Sequence, residues 1–154
     1  MKSDPTGADD NSQPGYTGNT YLDCYTLEGK QLWRSDLGKN IRSGAHYTPW
    51  MVYDFDGDGK AEVMMRTCDG TIDGLGNVIG DANADWREIA ENKWRGIIKH
   101  GNEYLTVFDG LTGKALSTVN YVPSRGRVED WGDDHSNRSE RYLAGVGYLD
   151  GVHA

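Results

Sequence analysis

Apolar and polar residues alternate in short runs along this chain, with turn residues closing each run after five to seven positions. Residues 21–27, Tyr-Leu-Asp-Cys-Tyr-Thr-Leu, and residues 30–34, Lys-Gln-Leu-Trp-Arg, flank the pair Glu28-Gly29. Two extended runs about a short turn with Gly predict a β-hairpin. The same pattern returns at residues 104–109 and 114–119, around Gly110-Leu111-Thr112-Gly113. A second kind of unit follows each hairpin. After the first comes Trp50-Met51-Val52-Tyr53, an acidic loop, and Val63-Met64-Met65-Arg66; after the second comes residues 142–151. The order of hairpin, strand, acidic turn and strand is thus present once whole and once cut short.

Four strands per unit at a long repeat predict an all-β fold of the β-propeller type, with a β-sandwich as the alternative. The expected organisation is a loop over residues 1–20, then a hairpin plus acidic-loop strand pair over 21–66. An insertion over 67–103 and a second, truncated blade over 104–154 complete it. Within the insertion, residues 86–98 are read as holding a short helical turn. Structured insertions on a rigid β scaffold are commonly functional or braced by metal.

Composition sharpens this picture. The 154 residues include 21 glycines, and 36% are hydrophobic, the aromatics being mainly Tyr and Trp. That is a loop-rich chain of short strands. The formal net charge of −8 argues against nucleic acid or an anionic membrane as partner, since both need basic patches. No apolar run approaches a membrane span, and the first residues lack the apolar stretch of a signal peptide. Cys24 and Cys68 both fall in strand-like runs, and free buried thiols and a bridge are both open.

The acids cluster in short spaced groups, which points to bound cations. Asp54, Asp56 and Asp58 alternate through a loop with Gly59 at the sixth place and Glu62 at the ninth. Calcium takes six to eight hard oxygen ligands, and alternate residues of a tightly curled loop point to one centre. Gly59 permits the sharp turn, the Lys60 carbonyl supplies a neutral oxygen, and Glu62 closes the shell. Strands on both flanks and no Glu at position twelve separate the loop from a helical EF-hand. Asp81, Asn83 and Asp85 offer a second alternating set without the glycine, for which an ordinary turn is equally apt. Asp133, Asp134 and Asn137 form a third group. Arg42 and His46 stand just upstream of the strand that feeds the loop. Tyr16, Trp86 and Trp131 are candidate sugar-stacking platforms, with buried packing as the alternative. The chain contains no phosphate-cradling glycine loop, cysteine zinc set or serine nucleophile motif.

Several segments together carry a resemblance. DNSQPGYTGN (10–19), GAHYTPWMVYDFDGDGKAEV (44–63), IGDANADWR (79–87), EYLTVF and GLTGK (103–114), DWGD (130–133), and NR with RYLAGVGYLDG (137–151) resemble the bacterial rhamnogalacturonan lyases of polysaccharide lyase family eleven, in family order. The resemblance implies an eight-bladed propeller studded with calcium, of which this chain covers about two blades. It implies a secreted, pectin-degrading enzyme acting on rhamnogalacturonan I, with Asp54, Asp56, Asp58, Lys60 and Glu62 as calcium residues. Asp4-Pro5 resembles the end of a preceding blade strand that runs into the central cleft. Ser3 replaces an expected aromatic there, Asp134-His135-Ser136 departs from the family's aromatic-Gly pattern, and Glu140 stands where Asp is usual.

The implied reaction is β-elimination at galacturonate. A neutralised carboxylate makes the C5 proton acidic, a base removes it, and the 4-linked sugar leaves. No base constellation is legible in these residues, so the base is expected in blades beyond them, with Asp4, His46 and Arg42 as the cleft-facing candidates. The competing class is a non-catalytic calcium-braced propeller module for carbohydrate binding or adhesion.

Overall fold

The computed structural model describes residues 1–8, 16–44, 46–91 and 94–151. Residues 10–15 of the first family-like segment, and Ala45 of the second, lie outside the described residues. Two antiparallel sheets carry the chain. One has the order β1-β2-β3-β6-β7 and the other β4-β5-β8-β9.

The first hairpin forms as its pattern predicts. β2 (Tyr21–Tyr25) pairs with β3 (Gln31–Asp36), with Asp23 opposite Arg34. Gly29, at φ 87°, closes the turn by donating its N–H to the Thr26 carbonyl at 3.0 Å. Arg34 reaches across the ladder to Asp23 at 2.6 and 3.0 Å. That contact holds the Asp23 carboxyl below its usual range although burial opposes it. β1 (Lys2–Ser3) adds to the outer edge of β2. Its two residues lie inside the stretch expected to be loop, and a strand that short shows no periodicity.

β4 (Trp50–Tyr53) and β5 (Glu62–Cys68) pair around the acidic loop, with Tyr53 opposite Glu62. The second hairpin, β8 (Glu103–Asp109) and β9 (Ala115–Asn120), docks on β5 along its whole length, from Glu62 opposite Asp109 to Cys68 opposite Glu103. The sheet therefore joins the strand pair to the hairpin that follows it, where the sequence reading joins it to the hairpin before. β5 is buried along nearly its whole length and is paired on both edges, by β4 and by β8. The insertion also differs from expectation. It supplies β6 (Thr71–Ile72) and β7 (Val78–Ile79) to the first sheet. The described part of 86–98 forms an isolated bridge between Arg87 and Ile98 and one hydrogen-bonded turn, the Ile97 N–H donating to the Trp94 carbonyl at 3.0 Å, with no helix among its described residues. Residues 141–149 carry no strand, so the second strand pair expected at 142–151 is absent among the described residues.

The core lies between the sheets: Leu22, Trp33, Leu37 and Ile41 meet Val63, Met65 and Phe108. Trp33 fixes the approach, its Nε1 donating to the Gly110 carbonyl at 2.9 Å. Gly113 lies under that ring at φ 69°, where an added Cβ would come within 2.6 Å of Trp33. Cys24 and Cys68 are free thiols, and burial pushes the Cys68 thiol up to about 12. Among the described residues no helix is long and apolar enough to cross a membrane.

The outer side of β5 holds charge instead of hydrocarbon. Arg66 donates to Glu103 at 3.0 Å and to Glu140 at 3.1 Å, and all three are buried. Arg125 completes the cluster, 2.6 Å from Glu103 and 3.2 Å from Glu140. Ser136 bonds to both Arg125 and Glu140, at 3.2 Å each. Burial alone would raise the Glu140 carboxyl, but Arg66 and Arg125 hold it below its ordinary 4.5. Its contribution to stability is therefore complete above pH 4.5 and is lost as pH falls through the lowered value. Replacing Glu140 with Gln leaves Arg66 and Arg125 facing a single carboxylate. Breaking a buried pair in this way costs about 3–5 kcal/mol, and urea unfolding at neutral pH should show a loss of that order. The variant should also lose part of the wild type's acid sensitivity; a loss below about 1 kcal/mol would mean the cluster is solvated.

Candidate functional site

The β4–β5 connection is the first site to weigh. Because Tyr53 lies opposite Glu62, the eight residues between them must curl back over a short gap. Asp54 sets the curl: Oδ1 accepts from the Gly57 and Asp58 N–H groups at 2.7 and 3.1 Å, and Oδ2 from Gly59 at 2.9 Å. Gly57 and Gly59 sit at φ 77° and 87°, conformations that suit glycine. Asp56 accepts from the Asp58 N–H at 3.1 Å, and Asp58 from the Lys60 N–H at 2.8 Å.

These bonds aim the three side chains inward. One carboxylate oxygen each from Asp54, Asp56 and Asp58 lies within 4.8 Å of the others, the only such acidic or metal-ligating group among the described residues. The donors are hard, anionic and mostly exposed, which is the chemistry calcium takes. Of the other two expected members, Glu62 lies outside this trio, and Lys60 is expected to act through its carbonyl and not its side chain. Glu62 is buried and its Oε2 accepts from the Phe55 N–H at 2.9 Å, which pins the loop's entry to its exit. The Lys60 ammonium lies 3.3 Å from Asp58 Oδ2 and offsets part of the trio's repulsion.

Asp81, Asn83 and Asp85 are not brought together. Asp81 accepts from the Asn83 N–H at 2.8 Å and closes a turn. Asp85 is bound by both ends of the Arg87 guanidinium, at 2.8 and 2.6 Å. Arg87 holds that carboxyl down at about 2. The third group is likewise taken up: Asp133 accepts from the His135 and Arg138 N–H groups at 3.0 and 2.6 Å, and the Asn137 Oδ1 accepts from the Tyr47 hydroxyl at 3.0 Å. Asp69, buried in the insertion, accepts from Asp81 N–H, Trp86 Nε1, Asn102 Nδ2 and Tyr104 Oη at 2.9–3.0 Å. Burial and that bond push the Tyr104 hydroxyl up to about 12. Asp73 ties the insertion to β9 through the Ala115 N–H at 3.0 Å.

The expected cleft residues separate. Arg42 is 3% exposed and near enough to Glu140 to help lower its pKa, so it belongs with the buried charges and cannot face a cleft. Asp4 accepts from Thr20 Oγ1 and the Gly44 N–H at 3.0 and 3.1 Å, with Lys2 at 3.5 Å. His46 is exposed and lines a cavity of about 490 Å³ at the start of β4, with Lys2, Tyr47, Trp50, Arg141 and Tyr142. Burial draws the Lys2 amine below its ordinary value, against the pull of Asp4. Sequence reasoning missed Lys2, near one end of the chain, and Arg141 and Tyr142, near the other, which no local spacing connects. The proposed sugar platforms are engaged elsewhere. Trp86 bonds Asp69, the Trp131 Nε1 donates to the Arg125 carbonyl at 2.5 Å, and the Arg87 guanidinium covers the Tyr16 ring at 4.6 Å.

Residues 1–154 match the sequence profile described as rhamnogalacturonan lyase family 11, C-terminal domain. The chain is 60% identical over 151 residues to rhamnogalacturonan endolyase YesW of Bacillus subtilis (strain 168), covering 98% of this chain and 24% of the relative. It is 57% identical to rhamnogalacturonan exolyase YesX of the same organism, with the same coverage. The structure of Bacillus licheniformis rhamnogalacturonan lyase PL11 superposes with a TM-score of 0.89 at 61% identity, over 97% of this chain and 25% of that one. The chain thus spans about a quarter of the length of the relatives it matches.

Calcium titration distinguishes the acid sets. Asp56→Ala removes one converging carboxylate, and calorimetry should show calcium affinity lowered by roughly tenfold or more, since affinity follows ligand charge. Asp85→Asn, outside the trio, should bind as the unaltered chain does. Equal binding by Asp56→Ala and the unaltered chain would place the ion elsewhere.

Proposed function

From the premise that the chain belongs to rhamnogalacturonan lyase family 11, we propose that it contributes part of the catalytic domain of a calcium-dependent lyase. That enzyme cleaves the rhamnogalacturonan I backbone by β-elimination at galacturonate. The observation that carries this reading is the convergence of Asp54, Asp56 and Asp58 in a chain matched by the family from end to end. Calcium, when bound there, supplies the charge that holds the three carboxylates together at the β4–β5 turn. The rest is done by side chains.

Elimination moves one proton and one electron pair. A base takes the C5 proton, the pair forms the C4–C5 double bond, and the C4–O bond breaks with the departing sugar. A cationic group at the galacturonate carboxylate stabilises the charge that develops at C5. Of the three cleft candidates, His46 alone lines the cavity. The chain spans about a quarter of its relatives' length, and we assign the base to residues outside this stretch.

The propeller is part of the same proposal. The sheet β4-β5-β8-β9 runs in chain order, the meander of a propeller blade. The first sheet then stands as its neighbour, within an eight-bladed ring. Secretion follows from the pectic substrate, a polymer too large to enter a cell intact.

A chimera tests the reading. These 154 residues replace the matching quarter of the Bacillus subtilis endolyase, and the ultraviolet absorbance of unsaturated uronate is followed on rhamnogalacturonan I. The chimera should cleave and should lose activity with chelator, while the 154 residues alone should give no signal. A chimera that folds, binds calcium and does not cleave would favour the non-catalytic binding module.

A further inference from the structure

The acidic loop has an apolar member with a partner of its own. Phe55 lies between Asp54 and Asp56, two of the converging carboxylates. Its half-buried ring lines a separate cavity of about 430 Å³, on which no carboxylate borders. Met51 and Met64, opposite one another in the β4–β5 ladder, form the sheet side of that cavity. The other side is the stretch from Gly145 to Gly147 with Leu149. Phe55 is thus shared between a cation loop and an apolar contact.

The far wall is loosely held. Residues 141–149 carry no strand, and Leu143 and Leu149 are fully exposed. Gly145 and Gly147 add backbone freedom. A segment with no ladder and little apolar burial sits at the low end of local stability. Aromatic contacts fix it near its end. The Tyr148 ring meets Tyr53 edge-on at 6.3 Å, and the two hydroxyls share a hydrogen bond. Tyr53 in turn meets Phe55 edge-on at 5.7 Å, an arrangement that aromatic pairs favour. A chain of three rings therefore runs from the acidic loop to the segment.

The state of the loop decides where the first two rings stand. Three carboxylates with oxygens within 4.8 Å of one another repel, and the Lys60 ammonium offsets that only at Asp58, 3.3 Å away. Asp54 and Asp56 moving apart would displace the residue between them, whose N–H is tied to Glu62 at 2.9 Å. With the carboxylates drawn together, Phe55 and Tyr53 keep the positions that Tyr148 and Val146 pack against.

We propose that Phe55 makes the docking of residues 145–149 calcium-dependent, so that loop and segment form one cooperative unit joined through Phe55, Tyr53 and Tyr148. The inference rests on the calcium reading of the loop and adds what that site controls. Linkage makes the coupling reciprocal: the factor that docking gains from calcium is the factor that calcium affinity gains from docking.

Backbone hydrogen exchange of residues 145–149 and calcium calorimetry on the full 154-residue chain test both directions. Saturating calcium should slow exchange in 145–149 by roughly fivefold or more, the lower end of usual couplings. Tyr148→Ala alters no ligand and should lower calcium affinity by that same factor. Phe55→Ala keeps all three carboxylates, so calcium should still bind but no longer slow exchange in 145–149. A Phe55 that merely packs would instead speed that exchange equally with and without calcium. Calcium that binds without slowing 145–149, or Tyr148→Ala with unaltered affinity, would overturn the coupling and leave the calcium site standing. No calcium binding by the unaltered chain would remove both.

Discussion

Buried charge must be matched inside this protein, and the rest of the fold is arranged around that requirement. An unpaired ion in the interior costs several kcal/mol even after relaxation. Arg66, on the central strand β5, therefore needs acids, and it finds them in Glu103 on β8 and Glu140 on a short 3-10 turn 74 residues away. Arg125 needs the same two acids. Satisfying both arginines holds the segment after β9 back against the second sheet. Asp23, Asp69 and Asp73 solve the same problem locally, through Arg34, through four neutral donors, and through the backbone of β9.

That requirement sorts the acids. Most carboxylates that the sequence offers as cation ligands already have protein donors. Asp85 has Arg87, Asp133 has the N–H groups of its own turn, and Glu62 has Phe55. Asp54, Asp56 and Asp58 also accept backbone N–H groups, but those bonds turn the side chains towards one another. The converging trio is thus the residue of the sorting, and it sits at one end of β4. The cavity with Trp50 sits at the other end, about 10 Å away along a four-residue strand. One short strand therefore sets both the cation loop and the cavity in the same frame.

The sequence showed what local rules control. The hairpins at residues 21–36 and 103–120 and the strand pair about the acidic loop follow from alternation and turn chemistry, and each forms where its turn glycine allows. Pairing partners are not local. Nothing in residues 62–68 says whether β5 accepts the hairpin before or after it, and it pairs with the one after. β1, β6 and β7 are two residues each, too short for a period to register. At the site, Asp54, Asp56 and Asp58 were legible because their ligand spacing lies within one turn. Lys2, Thr48, Arg141 and Tyr142 were not, since the fold brings them together from both ends of the chain. Arg66 left one trace: a lone cation closing an otherwise apolar run, Val63-Met64-Met65.

The sorting of acids into those with protein donors and those left for a cation is the claim on which the account stands. Anomalous diffraction from crystals grown in calcium tests it most directly. The account places a calcium peak among Asp54, Asp56 and Asp58, and none among Asp81, Asn83 and Asp85. A peak bound by Asp85 with Arg87 displaced, or an acidic loop without one, would contradict it.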